Sequence, residues 1–102
     1  MAEKQVLLRA FNVRKGEVMI AVCDCELLGK KFKEGKLVLD VCRDFYGGKR
    51  VSLETAVDTL RAATLANLVG EESIRCGIEA GIIHSDCVLR VDGVPHAQFV
   101  LI

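Results

Sequence analysis

From Gln5 to Arg14, and again from Glu17 to Asp24, apolar residues fall on both odd and even positions. Val6, Leu8 and Ala10 stand against Leu7, Phe11 and Val13 in the first run; Val18, Ile20 and Val22 stand against Met19, Ala21 and Cys23 in the second. Runs of this length that are apolar on both sides predict strands covered on both faces. Lys15-Gly16 between them predicts a hairpin turn. Cys25 to Gly29 predicts a single helical turn stopped by its glycine. From Lys36 to Cys42, Leu37, Leu39 and Val41 alternate with Val38 and Asp40, which predicts a strand with one buried face.

Helical spacing begins after Ser52, a favourable N-cap. Leu53, Ala56, Val57, Leu60 and Ala63 form an amphipathic stripe. Continuing that stripe places Thr64 and Asn67 on the inward face of the same helix. A second helix is predicted from Gly70 to Ala80, with Glu71 and Glu72 at its positive end, Ile74 and Ile78 on its buried side and Gly81 as its stop. Two apolar runs, Cys87–Val91 and Val94–Ile102, then flank Asp92-Gly93, a strong signal for a type I′ hairpin. That turn sets Val91 opposite Val94, Leu89 opposite His96 and Cys87 opposite Gln98. Pro95 has no N–H to donate, so the last strand is expected to be an edge near its start. The predicted order is β-β-β-α-α-β-β: one α+β domain over residues 1–102, a mostly antiparallel sheet with about two helices packed on one face.

With 102 residues, 51% of them apolar, the chain can bury one core without staples and is too hydrophobic to stay disordered. No apolar run approaches the roughly 20 residues that cross a bilayer. Met1-Ala2-Glu3-Lys4 shows no basic-then-apolar leader, so a cytoplasmic protein without a membrane partner is expected. Cys23, Cys25, Cys42, Cys76 and Cys87 are odd in number and lack CxxC spacing, which predicts buried free thiols. Zinc at Cys23 and Cys25 would need Cys42, or His84 with Cys87, brought in by folding. No metal or other cofactor is expected.

Formal net charge is zero but unevenly spread: residues 1–50 carry eleven Lys/Arg against seven Asp/Glu, residues 51–102 three against seven. A neutral molecule can therefore present a basic and an acidic face if folding keeps these segments apart. Lys30, Lys31, Lys33 and Lys36 surround Phe32, while Arg43, Lys49 and Arg50 flank Phe45-Tyr46-Gly47-Gly48. Cations interleaved with aromatic rings suit a phosphate backbone and stacked bases. The two clusters lie at opposite ends of a strand about 23 Å long, so they make one groove only if the chain folds back. The GxxxxGK[ST] order of a P-loop is absent.

A second candidate is the face that His96 and Gln98 share with Leu89, Val91 and Val100. Two polar groups there need partners, and Asn67 and Thr64 on the helix would supply them. Such a pocket would use His96 as a proton carrier or anion donor, with Asn67 and Gln98 as orienting groups. No nucleophile elbow or carboxylate pair stands out, so no catalytic residue is assigned and enzymatic activity is not expected.

The chain resembles a family of small archaeal proteins, domain of unknown function 424. The resemblance rests on Cys23-Asp24, Glu26-Leu27-Leu28-Gly29-Lys30, Phe32, Glu34-Gly35, Phe45-Tyr46-Gly47-Gly48, Ala66-Asn67-Leu68-Val69-Gly70-Glu71 and Gly93-Val94-Pro95-His96-Ala97-Gln98. Cys25 departs from the pattern, which more often has an acidic residue there. The resemblance implies a cytoplasmic archaeal protein, suggests a loose link to RNA metabolism, and supplies no activity, substrate or cofactor. Its motifs take in Asn67, His96 and Gln98 together with Tyr46, Gly47 and Gly48, which implies that these belong to one site. The leading expectation is a non-enzymatic module binding RNA or a ribosome-associated protein. The alternatives are a small enzyme or ligand-binding protein using the pocket, and an interaction domain that assembles, as a homo-oligomer for instance, through the edge of the final hairpin.

Overall fold

The structure, a computed structural model, describes residues 4–102. Met1, Ala2 and Glu3, where the sequence predicts no leader, lie outside the described residues. Strands β1 (Gln5–Arg14) and β2 (Glu17–Asp24) form the predicted hairpin, and a 3-10 turn at Cys25–Leu27 follows. Next come β3 (Lys31–Glu34), β4 (Leu37–Asp40), helix α1 (Arg43–Tyr46), β5 (Lys49–Ser52), helix α2 (Leu53–Leu60) and β6 (Leu65–Val69). Helix α3 (Glu71–Glu79), a 3-10 turn at Ser85–Cys87, β7 (Leu89–Val91) and β8 (Val94–Val100) complete the chain.

Six strands join in the order β5-β1-β2-β6-β8-β7, while β3 and β4 pair separately. Every pairing is antiparallel except that of β2 with β6. The α+β class and the antiparallel bias are as the hydrophobic pattern predicts. The two-sided apolar runs have the predicted cause as well. Val6, Ile20, Val22 and Leu68 pack beneath Ala56, Val57 and Leu60 of α2 and Ile74 of α3. On the opposite face Leu7, Ala21, Cys23 and Val69 are covered by Leu39, Val41 and Tyr46, from the segment between β2 and β5. Fully buried side chains such as Leu60 and Leu68 each contribute about 1.5–3 kcal/mol.

Ser52 caps α2 as expected, accepting the Thr55 N–H at 3.1 Å. The helix nevertheless stops at Leu60, and residues 65–69 form a strand in place of the predicted continuation. Helical spacing and strand alternation both fit Ala63–Leu68. Burial between β2 and β8 decides for the strand, sending Ala66 and Leu68 to the helix side and Asn67 and Val69 to the other. Thr64, predicted to face inward from a helix, instead bridges to β2: its Oγ1 accepts the Val18 N–H at 2.8 Å.

The expected strand over Lys36–Cys42 shortens to Leu37–Asp40 and pairs with β3, an element not anticipated, around Gly35-Lys36. In α3, Ile74 is buried as predicted but Ile78 is 43% exposed. Close packing at Gly77, where a Cβ would stand 2.7 Å from Ile83, turns the buried side toward Ser73, Cys76 and Gly77.

The final hairpin keeps its predicted pairs Val91–Val94 and Leu89–His96, with positive φ at Asp92 (51°) and Gly93 (81°) as a type I′ turn requires. Cys87 does not reach Gln98; it lies in a 3-10 turn, and Gln98 pairs with Asn67. The last strand as a whole lies between β6 and β7, but at its start, where an edge is expected, Val94 and Pro95 pair with β7 alone. Pro95 is tolerated there because the Arg90–Pro95 pair, second from the two-residue turn, exchanges no ladder bonds with β7. Its carbonyl instead accepts the Gly70 N–H at 2.9 Å. Short strands form the edges, β5 on one side and β7 on the other, so assembly through the final hairpin would have only the three residues of β7.

Candidate functional site

The lysine-rich segment is a hairpin arm. Glu34 pairs with Leu37 across a two-residue turn, and Gly35 supplies its positive φ of 60°. At the base of the arm, the Gly29 N–H donates to the Val41 carbonyl at 2.7 Å and the Val41 N–H to the Lys30 carbonyl at 2.9 Å. These bonds fold the chain back, so the Arg43 guanidinium lies against Gly29, next to Lys30. Lys33 and Lys36 sit toward the tip, which docks through Glu34 accepting the Asp92 N–H at 2.7 Å. Lys31 faces Asp40 at 4.0 Å; among the described residues Lys30, Lys33, Lys36 and Arg43 form no ion pair.

Lys49 and Arg50 do not join this surface. Both are on the edge strand β5, and Arg50 lines a cleft of about 490 Å³ with Asp24, Glu26 and Glu72. The sheet does separate charge: residues 29–48 on one side hold five Lys/Arg against three Asp/Glu, and residues 53–80 on the other hold two against five.

Aromatic rings near the cations are engaged within the protein. Phe45 stacks on Phe11 with centroids 5.4 Å apart, Tyr46 meets Phe45 edge-on at 4.9 Å, and the Arg9 guanidinium lies 4.6 Å from the Phe11 centroid. Phe32 packs against the core. A base would have to displace one of these contacts in order to stack, so phosphate contact is the chemistry left to the arm.

Asn67, His96 and Gln98 share one sheet face, and the Gln98 amide donates to Asn67 Oδ1 at 2.8 Å. Asn67 Nδ2 in turn donates to the Met19 sulfur at 3.3 Å. Partial burial holds the His96 pKa below the usual imidazole value, favouring the neutral ring. The predicted pocket does not form around them. With Asn67 on a strand, the continuation of α2 that would have closed a pocket is absent, and none of the three residues lines the clefts along α3, beside β1 or at the end of β2. Tyr46 is buried, its phenol pushed well above the usual pKa by desolvation. Gly47 and Gly48 lead into β5, with three strands between β5 and β8, a separation of about 19 Å.

The most constrained polar cluster escaped the sequence reading. Asp24, 5% exposed at the end of β2, caps α3 from a distance. Its Oδ1 accepts the Ser73 N–H at 2.9 Å and the Ser73 hydroxyl at 2.8 Å, and its Oδ2 accepts the Glu72 N–H at 3.2 Å. Burial outweighs these bonds and holds its pKa above the usual carboxylate value. The available clue was Gly70 at the helix start: with no side chain to cap α3, the exposed amides needed an acceptor from elsewhere.

All five cysteines are free, but against the expectation of buried thiols only Cys23 and Cys76 are buried; Cys25 and Cys42 are half-buried and Cys87, in its 3-10 turn, is exposed. Burial raises the thiol pKa to about 12 at Cys23 and about 11 at Cys76, which keeps both protonated and unreactive at neutral pH. Cys25 leaves the strand for the 3-10 turn, so it does not share a strand face with Cys23. Among the described residues no three His, Cys, Asp or Glu side chains converge as a cation site, and no helix is long and apolar enough to cross a membrane. A thiol reagent applied to the folded protein is expected to label exposed Cys87 first and to spare Cys23 and Cys76 until unfolding. Mass spectrometry of digested, labelled protein checks this, and early modification of Cys23 would contradict the buried, protonated state.

A family model and one solved structure match this chain. A family model described as "Protein of unknown function (DUF424)" matches residues 11–102. A crystal structure of an uncharacterised conserved protein from Methanopyrus kandleri is similar at a TM-score of 0.80 and 29% identity, over 93% of this chain and 90% of that one. No curated protein matches.

Proposed function

The chain belongs to the DUF424 family of proteins of unknown function, and from that premise we propose that it is a non-enzymatic RNA-binding module that contacts phosphates through the β3–β4 arm. The observation that carries this reading is the grouping of Lys30, Lys33, Lys36 and Arg43, without carboxylate partners among the described residues, on the face opposite the acidic α2–α3 layer. Cations left unpaired on one side of a neutral molecule orient it toward a polyanion and hold the acidic side away. With the nearby rings occupied, binding is electrostatic and tolerant of base sequence.

Anisotropy of labelled single-stranded RNA across a salt series tests the reading. Affinity should fall steeply with salt, and removing one cation that neutralises a phosphate should flatten the log–log slope by about 0.7. Replacing Lys30, Lys33, Lys36 and Arg43 with Gln together is expected to remove about 2–3 from that slope, whereas Arg61→Gln with Arg75→Gln should leave it unchanged. Absence of affinity at low ionic strength, or an unchanged slope in the fourfold variant, rejects the proposal.

A further inference from the structure

β1 is ten residues long, but its outer neighbour β5 pairs only with Gln5–Leu8. Over residues 10–14 the sheet continues on the β2 side alone. Backbone N–H and C=O groups in an antiparallel strand alternate between its two sides, so this stretch turns a short row of unpaired groups outward. Ala10, Asn12 and Val13 are exposed along it.

The start of the free edge is kept bare by Gly47 and Gly48. At Gly48 the backbones run so close that a Cβ would stand 2.0 Å from the Leu8 carbonyl oxygen. Beside this crossing a cleft of about 470 Å³ opens, lined by Leu8, Arg9, Ala10, Gly47, Gly48 and Lys49. The bulge between Asn12 and Arg14 ends regular pairing, so an added strand has about four or five residues to read.

Charge selects the occupant. Arg9, Arg14, Lys15 and Lys49 lie along or beside the edge; Arg14 pairs with Glu17 at 3.1 Å and Arg9 donates to the Asp44 carbonyl, which leaves Lys15 and Lys49 without ion pairs among the described residues. Two copies of this chain joined edge to edge would crowd both sets of cations into one strip. We propose that the outer edge of β1, from Ala10 to Arg14, is a strand-addition site for an extended acidic segment of a protein partner. Main-chain bonds hold the segment, and its carboxylates meet Lys15 and Lys49. The site is separate from the arm assigned to RNA.

The test uses the full chain and an eight-residue peptide alternating Glu and Val, labelled for anisotropy. Three comparisons accompany it: a Lys–Val peptide, a version N-methylated at alternate backbone positions, and the unmodified peptide against Lys15→Glu with Lys49→Glu. The acidic peptide should bind and slow hydrogen exchange at amides of residues 10–14. The double charge reversal should weaken it about tenfold and transfer preference to the Lys–Val peptide. Replacing Lys30, Lys33 and Lys36 with Gln should leave its affinity unchanged. No binding, equal binding of the N-methylated peptide, or loss of binding in the arm variant overturns the proposal. So does sedimentation showing dimers that disappear on the Lys15 and Lys49 reversals, since a second copy would then be the occupant.

Discussion

Gly70→Ala is expected to cost about 3 kcal/mol of stability or more. Two effects combine. Gly70 has φ 108° and ψ 158°, a region closed to residues with a Cβ. That Cβ would also stand 2.2 Å from Asp24 Cγ and 2.5 Å from its Oδ1. A double-mutant cycle separates the effects: removing the carboxylate first should make room, so Gly70→Ala should cost about 1–3 kcal/mol less in an Asp24→Ala background. Urea denaturation of the four proteins measures this. Equal penalties in both backgrounds would mean that backbone strain alone is responsible.

Asp24→Ala should be nearly as severe, about 2–4 kcal/mol, because three donors at the start of α3 lose their acceptor inside the protein. Asp24→Asn should cost less, since an amide oxygen can still accept from Ser73 while its NH2 opposes the Glu72 N–H. The pH dependence has a definite sign. The folded pKa of Asp24 lies above the unfolded one, so over that window the folded state holds more protons and stability falls as pH rises. The wild-type advantage over Asp24→Asn should therefore be greatest below about pH 4 and shrink toward neutrality as Asp24 ionises. An advantage that grew with pH would show the hydrogen bonds outweighing burial.

Elements specified by neighbours in the chain were readable. Ser52 capped a helix, Asp92-Gly93 closed a type I′ hairpin, and two-sided apolar runs became covered strands, because each depends on a few adjacent residues. Segment 61–69 was not readable in that way. Its spacing suits a helix and a strand alike, and only a vacancy in the sheet between β2 and β8 distinguishes them. That one assignment moved Asn67 and Thr64 and dissolved the expected pocket, although Asn67, His96 and Gln98 still share a face. The lysines of the arm were legible as a cluster. Their junction with Arg43, and the departure of Lys49 and Arg50 to the sheet edge, follow from the fold-back at Gly29 and Val41.

Sequence alone determined the α+β class, the two hairpins of the main sheet and an uneven supply of charge, since these come from composition and short-range periodicity. Tertiary structure decided where that charge is displayed, which strand edge stays open and how Asp24 comes to cap a helix that begins 47 residues later. Such outcomes depend on segments distant in the chain competing for the same buried space, and local pattern carries no record of which one prevails.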